Sequence, residues 1–206
     1  MHEIADPIAC IDCPLQDCPG LRPLEEHQLA FMQGFKEGEV ALARGDLLIS
    51  EGQSHQQLYT LLGGVLIRWR SLDDGRRQII NFMFPGDLVG LQSAFDEPAA
   101  HAVEALVDAR LCRFPRGRFT ELIASHPGLG YDITWLAAQE ETALEGHIVS
   151  LGQRSARERV AYLAVWLIDR ARATCLADNG NRVGLPITQV QIADMLGLSL
   201  VHTNRT

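Results

Sequence analysis

Between residues 35 and 114 the chain is never long without a glycine. Short apolar runs alternate with turns at Gly38, Gly45, Gly52, Gly63-Gly64, Gly75 and Gly86. Turn signals at this pace between β-rich runs predict a barrel or a sandwich. The clearest hairpin joins 61–69 to 77–84 through Asp73-Asp74-Gly75, because Asp-Gly supplies the positive φ of a tight turn. Pro85-Gly86-Asp87 makes a second turn ahead of the apolar residues 88–91.

The flanks have a different texture. Residues 1–23 carry Pro7, Pro14, Pro19, Gly20 and Pro23, which forbid a long helix and predict an irregular segment. A short helix is expected over 24–34, with Leu24, Gln28, Phe31 and Met32 near one face. After Pro115 helices take over. One over 118–124 stops near Pro127. A long one follows over 131–151, where Ala137, Leu144 and Leu151 repeat at seven with Ile133 and Ile148 beside them. This narrow seam suits pairing with a second copy of the same helix, and packing on its own domain is the alternative. A further helix over 155–175 has Val160, Leu163, Ala164, Leu167 and Ile168 inward. It is ended by the turn Asn179-Gly180-Asn181, and a short strand is expected over 182–187.

Residues 188–206 read as a helix-turn-helix. Thr188 caps a first helix whose Val190, Ile192, Ala193 and Leu196 face in, Gly197 permits the sharp turn, and Leu198 plugs the core. Ser199 caps a second helix that would present Val201, His202, Asn204 and Arg205 to base edges in a major groove. An ordinary helical hairpin is the alternative. The chain stops at Thr206 inside this helix, which reads as a truncation.

The formal net charge is −8, awkward for a protein that must neutralise phosphates. Distribution outweighs the total, and Arg154, Arg157, Arg159, Arg170, Arg172, Arg182 and Arg205 gather in the second half. No apolar run spans a bilayer, and residues 1–9 lack the basic and apolar regions of a signal peptide, so the cytoplasm is the expected location, with no membrane partner. In that compartment clustered cysteines serve metal or redox chemistry more often than structural disulfides. Cys10, Cys13 and Cys18 are spaced Cys-x2-Cys-x4-Cys, and Cys112 follows about a hundred residues later. Such a set can hold an iron–sulfur cluster or zinc, or act by thiol–disulfide exchange. Cys112 alone would read as a core residue, and Cys175 as packing only.

The order of parts resembles the Crp–Fnr family of bacterial transcription regulators. The resemblance rests on Glu51-Gly52, Leu58-Tyr59, Gly64, Asp74-Gly75-Arg76-Arg77-Gln78, Pro85-Gly86-Asp87, Gly90, the segment 154–159 and Ile192-Ala193-Asp194 with Leu196-Gly197. It implies an α+β chain: a cysteine-bearing segment (1–23), a cupin-like jelly-roll or β-roll sensor domain (24–127), a dimerisation helix (128–152) and a winged helix-turn-helix domain (153–206), incomplete at its end. It implies a homodimer that binds two-fold symmetric promoter sites in double-stranded DNA and contacts RNA polymerase, and no enzyme. Cyclic-nucleotide-binding members carry a Glu and an Arg-Ser or Arg-Thr pair after the Pro-Gly-Asp turn. Here the stretch reads Gly90-Leu91-Gln92-Ser93 and then Pro98-Ala99-Ala100-His101, so cAMP is not the expected ligand.

The same resemblance places Cys10, Cys13, Cys18 and Cys112 where the oxygen-sensing Fnr branch carries its [4Fe–4S] ligands, with a shorter Cys13-to-Cys18 spacing than the best-known members. The mechanism expected of such a cluster is that it braces a loose N-terminal segment against the roll, and that oxygen or nitric oxide releases the brace and weakens dimerisation and DNA binding. Glu140, Glu141 and Glu145 are expected to repel their symmetry mates across the seam. The recognition helix retains only Arg205 of the Fnr pattern Glu-x-x-Ser-Arg; Val201 and Asn204 replace the other two, so the half-site differs from the usual one. An electron carrier is the competing class. It is disfavoured by the complete DNA-reading motif and by the lack of a second cluster motif.

Overall fold

The computed structural model describes residues 1–95, 97–178 and 182–206. Among them nine strands form two antiparallel sheets: β1 (His2–Glu3), β2 (Gly38–Leu42), β3 (Leu47–Ile49), β4 (Gln57–Gly63), β5 (Leu66–Ser71), β6 (Arg77–Met83), β7 (Leu88–Val89), β8 (Ala102–Ala105) and β9 (Ala109–Pro115). The sheets run β1-β2-β9-β4-β7 and β3-β8-β5-β6. Val40, Tyr59, Leu61 and Leu111 from the first meet Ile49, Leu66, Met83 and Val103 from the second in one buried core. Each fully buried aliphatic chain there contributes roughly 1.5–3 kcal/mol relative to exposure. This is the roll that the glycine spacing predicts.

Both outer faces of the roll are also apolar, which is why helices cover them. The face carrying Leu58, Leu62, Cys112 and Phe114 packs against α1 (Glu26–Phe35), α2 (Phe119–Ser125) and the start of α3 (Pro127–Gln153). The opposite face presents Val65, Ile67, Ile79, Phe82 and Phe84. It packs against α4 (Ala156–Ala173) and α5 (Gln189–Leu196), and α6 (Leu200–Arg205) follows α5. Strand alternation sorts the two cores: in β9, Leu111 points in and Cys112 out.

Several expectations need correction. The run 61–69 is two strands, because the chain breaks at Gly63-Gly64; Gly64 has φ +88° and a Cβ there would strike the Asp108 carbonyl. The turn at Gly75 forms as expected, with φ +83°. The N-terminal segment is not wholly irregular, since β1 pairs with β2 through His2–Ala41 and Glu3–Val40. The long helix begins at Pro127, which starts α3 instead of merely ending α2, since proline is tolerated in a first helical turn. Residues 182–187 have the right alternation, with Val183, Leu185 and Ile187 packed inward, but find no strand partner among the described residues. In α4, Leu163 is buried while Ala164 and Ile168 are exposed; in α5, Val190 is exposed and Gln191 and Met195 are buried in its place. The turn Asn179-Gly180-Asn181 lies outside the described residues.

Candidate functional site

The cysteine site is assembled by polar contacts that fasten residues 1–24 to the roll. Glu39 on β2 is fully buried. It pairs with Lys36 at 2.6 Å and with Arg110, and accepts the Ile8 N–H at 2.9 Å. Lys36 also donates to the Ile8 carbonyl at 2.5 Å, the Cys10 N–H donates to Gln33 Oε1 at 2.7 Å, and the Leu24 N–H donates to Gln16 Oε1 at 2.9 Å. The segment is therefore fastened to the roll by its own polar contacts, contrary to the expected loose arm. The sequence signal that was missed is Lys36 three residues before an acid inside an apolar strand.

This fastening brings Cys10 and Cys13 to Cys112, and the three thiols line one cavity of ≈ 200 Å³ walled by Met32, Phe35, Phe114 and Leu129. Burial pushes the Cys112 thiol up to about 12, with the Lys36 ammonium opposing. Burial likewise raises Cys10 and Cys13, again against Lys36. These are protonated, weakly nucleophilic thiols that a metal would have to deprotonate.

The fourth expected ligand is elsewhere. Cys18 forms a disulfide with Cys175, their Cα atoms 5.4 Å apart. This corrects the expectation that Cys175 merely packs, and it seats Cys18 in a bridge apart from the cavity that Cys10, Cys13 and Cys112 line. The physical reason lies in the next residues. The Gly20 N–H donates to the Ala173 carbonyl at 2.7 Å, and a Cβ on Gly20 would sit 2.5 Å from the Ala173 Cβ, so the segment is pressed against the end of α4. In this oxidised arrangement three of the four cysteines line one cavity and the fourth is bonded to Cys175. Among the described residues no group of three or more His, Cys, Asp or Glu converges to hold a metal.

The helix-turn-helix is built as its local signals predict. The Thr188 side chain accepts the Gln191 N–H, Gln191 reaches back to the Thr188 N–H, and Gly197 closes α5 in the left-handed region at φ +61°. Ser199 accepts the His202 N–H at 3.2 Å and starts α6. The last carbonyls of α5 are satisfied from outside: Gln78 donates to Met195 O at 3.1 Å and Arg159 to Leu196 O at 3.0 Å. Arg77 bridges Glu104 and Asp194 at 3.2 and 2.9 Å, tying α5 to β6. Val201, His202, Asn204 and Arg205 are all exposed on α6. Of the clustered arginines, Arg159 serves this cap, Arg170 pairs with Asp87 and Arg172 with Asp169, and Arg154 stacks over Tyr162. Arg157, Arg182 and Arg205 are exposed and enter none of these pairs.

The seam positions divide. Ile133 packs against the α1–α2 cluster, and the Leu151 side chain lies beside Gly197. Leu144 is half-buried, Ala137 is exposed, and Ile148 is 69% exposed. Glu140 does not stand free to repel a mate, because it pairs with the buried Arg68 at 2.6 Å. Buried His147 joins three layers: its Nε2 lies 3.2 Å from Asn81 Oδ1 on β6 and its Nδ1 3.2 Å from the Tyr162 hydroxyl on α4. One neutral tautomer serves both, donating to Asn81 and accepting from Tyr162.

No described helix is long and apolar enough to cross a membrane. Residues 39–126 match the family described as cyclic nucleotide-binding domain. The nitrogen fixation regulation protein FixK of Bradyrhizobium diazoefficiens is 33% identical over 96% of this chain and 81% of its own length. The transcriptional activator protein FnrL of Cereibacter sphaeroides is 27% identical over 100% of this chain and 83% of its own. Among solved structures, FixK2 from Bradyrhizobium japonicum superposes with a TM-score of 0.69 at 29% identity, covering 81% of this chain and 80% of that one. These relatives are regulators and not enzymes, and with a roll, a long helix and a capped helix-turn-helix in the same order, the chain belongs to the Crp–Fnr family of DNA-binding transcription regulators.

Proposed function

We propose that this chain is a homodimeric transcription activator that senses oxygen or nitric oxide through its cysteines. In its reduced form a [4Fe–4S] cluster is held by Cys10, Cys13, Cys18 and Cys112. The observation that carries the reading is that Cys10, Cys13 and Cys112, from a segment and a strand about a hundred residues apart, line one apolar cavity beside the start of α3. Such a cluster supplies redox-labile iron in a screened pocket. The chain's own residues supply the screen: Phe35, Phe114 and Leu129 exclude water, and the Glu39 network holds the segment in place. A cyclic nucleotide is not the effector in this reading, because residues 90–93 and 98–101 offer no Glu and no Arg for a ribose and a phosphate.

On DNA, α6 reads base edges through Val201, His202, Asn204 and Arg205, while Ser199 caps the end of the helix that enters the groove. Two copies paired along α3, through Ala137 and Ile148 with Ile133, Leu144 and Leu151 beside them, meet half-sites about one helical turn apart. RNA polymerase is the partner that an activator at a promoter must contact. Iron and acid-labile sulfide, measured anaerobically per chain on reduced wild type and on Cys112→Ala, test the cofactor. Full loading of wild type and loss in the variant are expected. Iron-poor wild type would overturn the cluster and leave a regulator responding through thiol oxidation alone.

A further inference from the structure

The Cys18–Cys175 bridge crosses from the N-terminal segment to the end of α4, 157 residues apart in sequence. Its surroundings are fitted to it. Residues 18–21 lie between the turn at Gly86 and the last turn of α4: a Cβ on Gly86 would stand 2.6 Å from the Leu21 methyl groups, and Gly20 is pressed on Ala173 as described. Arg170, one turn earlier in α4, pairs with Asp87 of that same turn at 2.5 Å. Cys18 is 3% exposed, whereas Cys175 is exposed at a non-glycine φ of +60°, just after Thr174 at the end of the helix. One residue of the bridge is thus sheltered and the other lies at the surface.

We propose that Cys18–Cys175 is a regulatory disulfide. Its oxidised form clamps α4, and with it the helix-turn-helix, to the N-terminal segment. The same bond takes Cys18 out of the sensing set, so that the bridge and the cluster are alternative states of one thiol. The clamp stands on the bridge itself; the exclusion rests on the four-cysteine cluster reading given above. The chemistry balances with a peroxide as oxidant. A thiolate attacks the peroxide oxygen, giving a sulfenic acid and an alcohol or water, and the second thiolate displaces hydroxide from that sulfur, so that two thiols and one peroxide give one disulfide, one alcohol and one water. Reversal needs a dithiol. One of its thiolates attacks the Cys175 sulfur, on the more exposed residue of the pair, and releases the Cys18 thiolate. Its second thiol then closes the mixed disulfide and releases Cys175.

The test uses the full chain and Cys175→Ser, which spares all four proposed ligands. Each is reduced with dithiothreitol or oxidised with hydrogen peroxide, then followed by peptide mapping, by proteolysis between α3 and α4, and by anaerobic loading with ferrous iron and sulfide. The expected result is a linked Cys18–Cys175 peptide in oxidised wild type. Cleavage slows there and not in Cys175→Ser, and iron and sulfide uptake is lost in the linked form and retained in the reduced one. Absence of the linked peptide, or equal cleavage of linked and reduced protein, overturns the clamp. Equal loading of linked and reduced protein overturns the exclusion. If reduced wild type takes up no iron while the linked peptide still forms and slows cleavage, the cluster reading fails and the clamp stands.

Discussion

Glu39 sits fully buried between Lys36 and Arg110, the kind of position where removing one charge costs more than the pair contributes. The Lys36 side chain is only 3% exposed, so it cannot turn to water if Glu39 is lost, whereas the Arg110 side chain at 34% can. Burial works against the Lys36 charge, yet the Glu39 hydrogen bond and nearby charges win and hold its ammonium above the ordinary value. Glu39→Gln keeps an acceptor for the Ile8 N–H but leaves Lys36 uncompensated. It is expected to lower stability by about 3 kcal/mol, seen as a lower urea midpoint at unchanged slope. The same variant should also expose Cys10 and Cys13 to alkylation faster than Cys112, because the network fastens the segment and not β9. Equal alkylation rates in variant and wild type would show that the segment is held by something else.

At the scale of elements, the helix-turn-helix depends on short-range caps that act within four residues. Thr188→Ala removes the acceptor for the Gln191 N–H and Ser199→Ala the acceptor for the His202 N–H. Each is expected to cost about 1 kcal/mol. Ser199→Ala loosens the start of α6, the end that would enter the groove, so DNA affinity should fall by about tenfold with base preference unchanged. Competition between operator variants measures both. A changed preference would mean that Ser199 itself reads a base. The locality of these signals explains what could be read in advance. The caps at Thr188 and Ser199, the turn at Gly197 and the hairpin at Gly75 are each specified by neighbours, and all four form as the residues imply. Val190 misled because only a helix packed on a known neighbour has a defined inner face; docking on β6 rotates α5 so that Gln191 and Met195 are covered instead. The strand over 182–187 misled because alternation requires a partner as well as a pattern.

At the scale of the whole molecule, what the chain could not announce are the contacts that join its distant parts. The roll was legible from its glycine spacing, whereas of the four cysteines grouped from the sequence Cys10, Cys13 and Cys112 line one cavity. The departure of Cys18 was not legible, because it depends on Gly20 meeting Ala173 across most of the chain. His147 is a second such junction, tying β6 and α4 to α3, and it gives the assembled protein a pH dependence. Burial, then the Arg68 charge, pushes His147 down to about 4. Burial, then Arg68 and Arg70, does the same to His101, with Glu51 opposing. Both are neutral in the folded chain near neutrality and would titrate at an ordinary value of 6.5 when unfolded. As pH falls below 6.5 the unfolded chain therefore gains protons that the native state refuses. Their full stabilisation is present above 6.5, drains away toward pH 4 and changes no further below it. Two and a half pH units correspond to about 3 kcal/mol for each histidine. Urea midpoints between pH 7 and pH 4.5 should fall accordingly. In His147→Gln, which keeps polar contacts for Asn81 and Tyr162 but does not titrate, the decline attributable to the two histidines should be roughly halved. A variant that loses stability with acid as steeply as wild type would show that His147 binds its proton equally well in the folded and the unfolded chain.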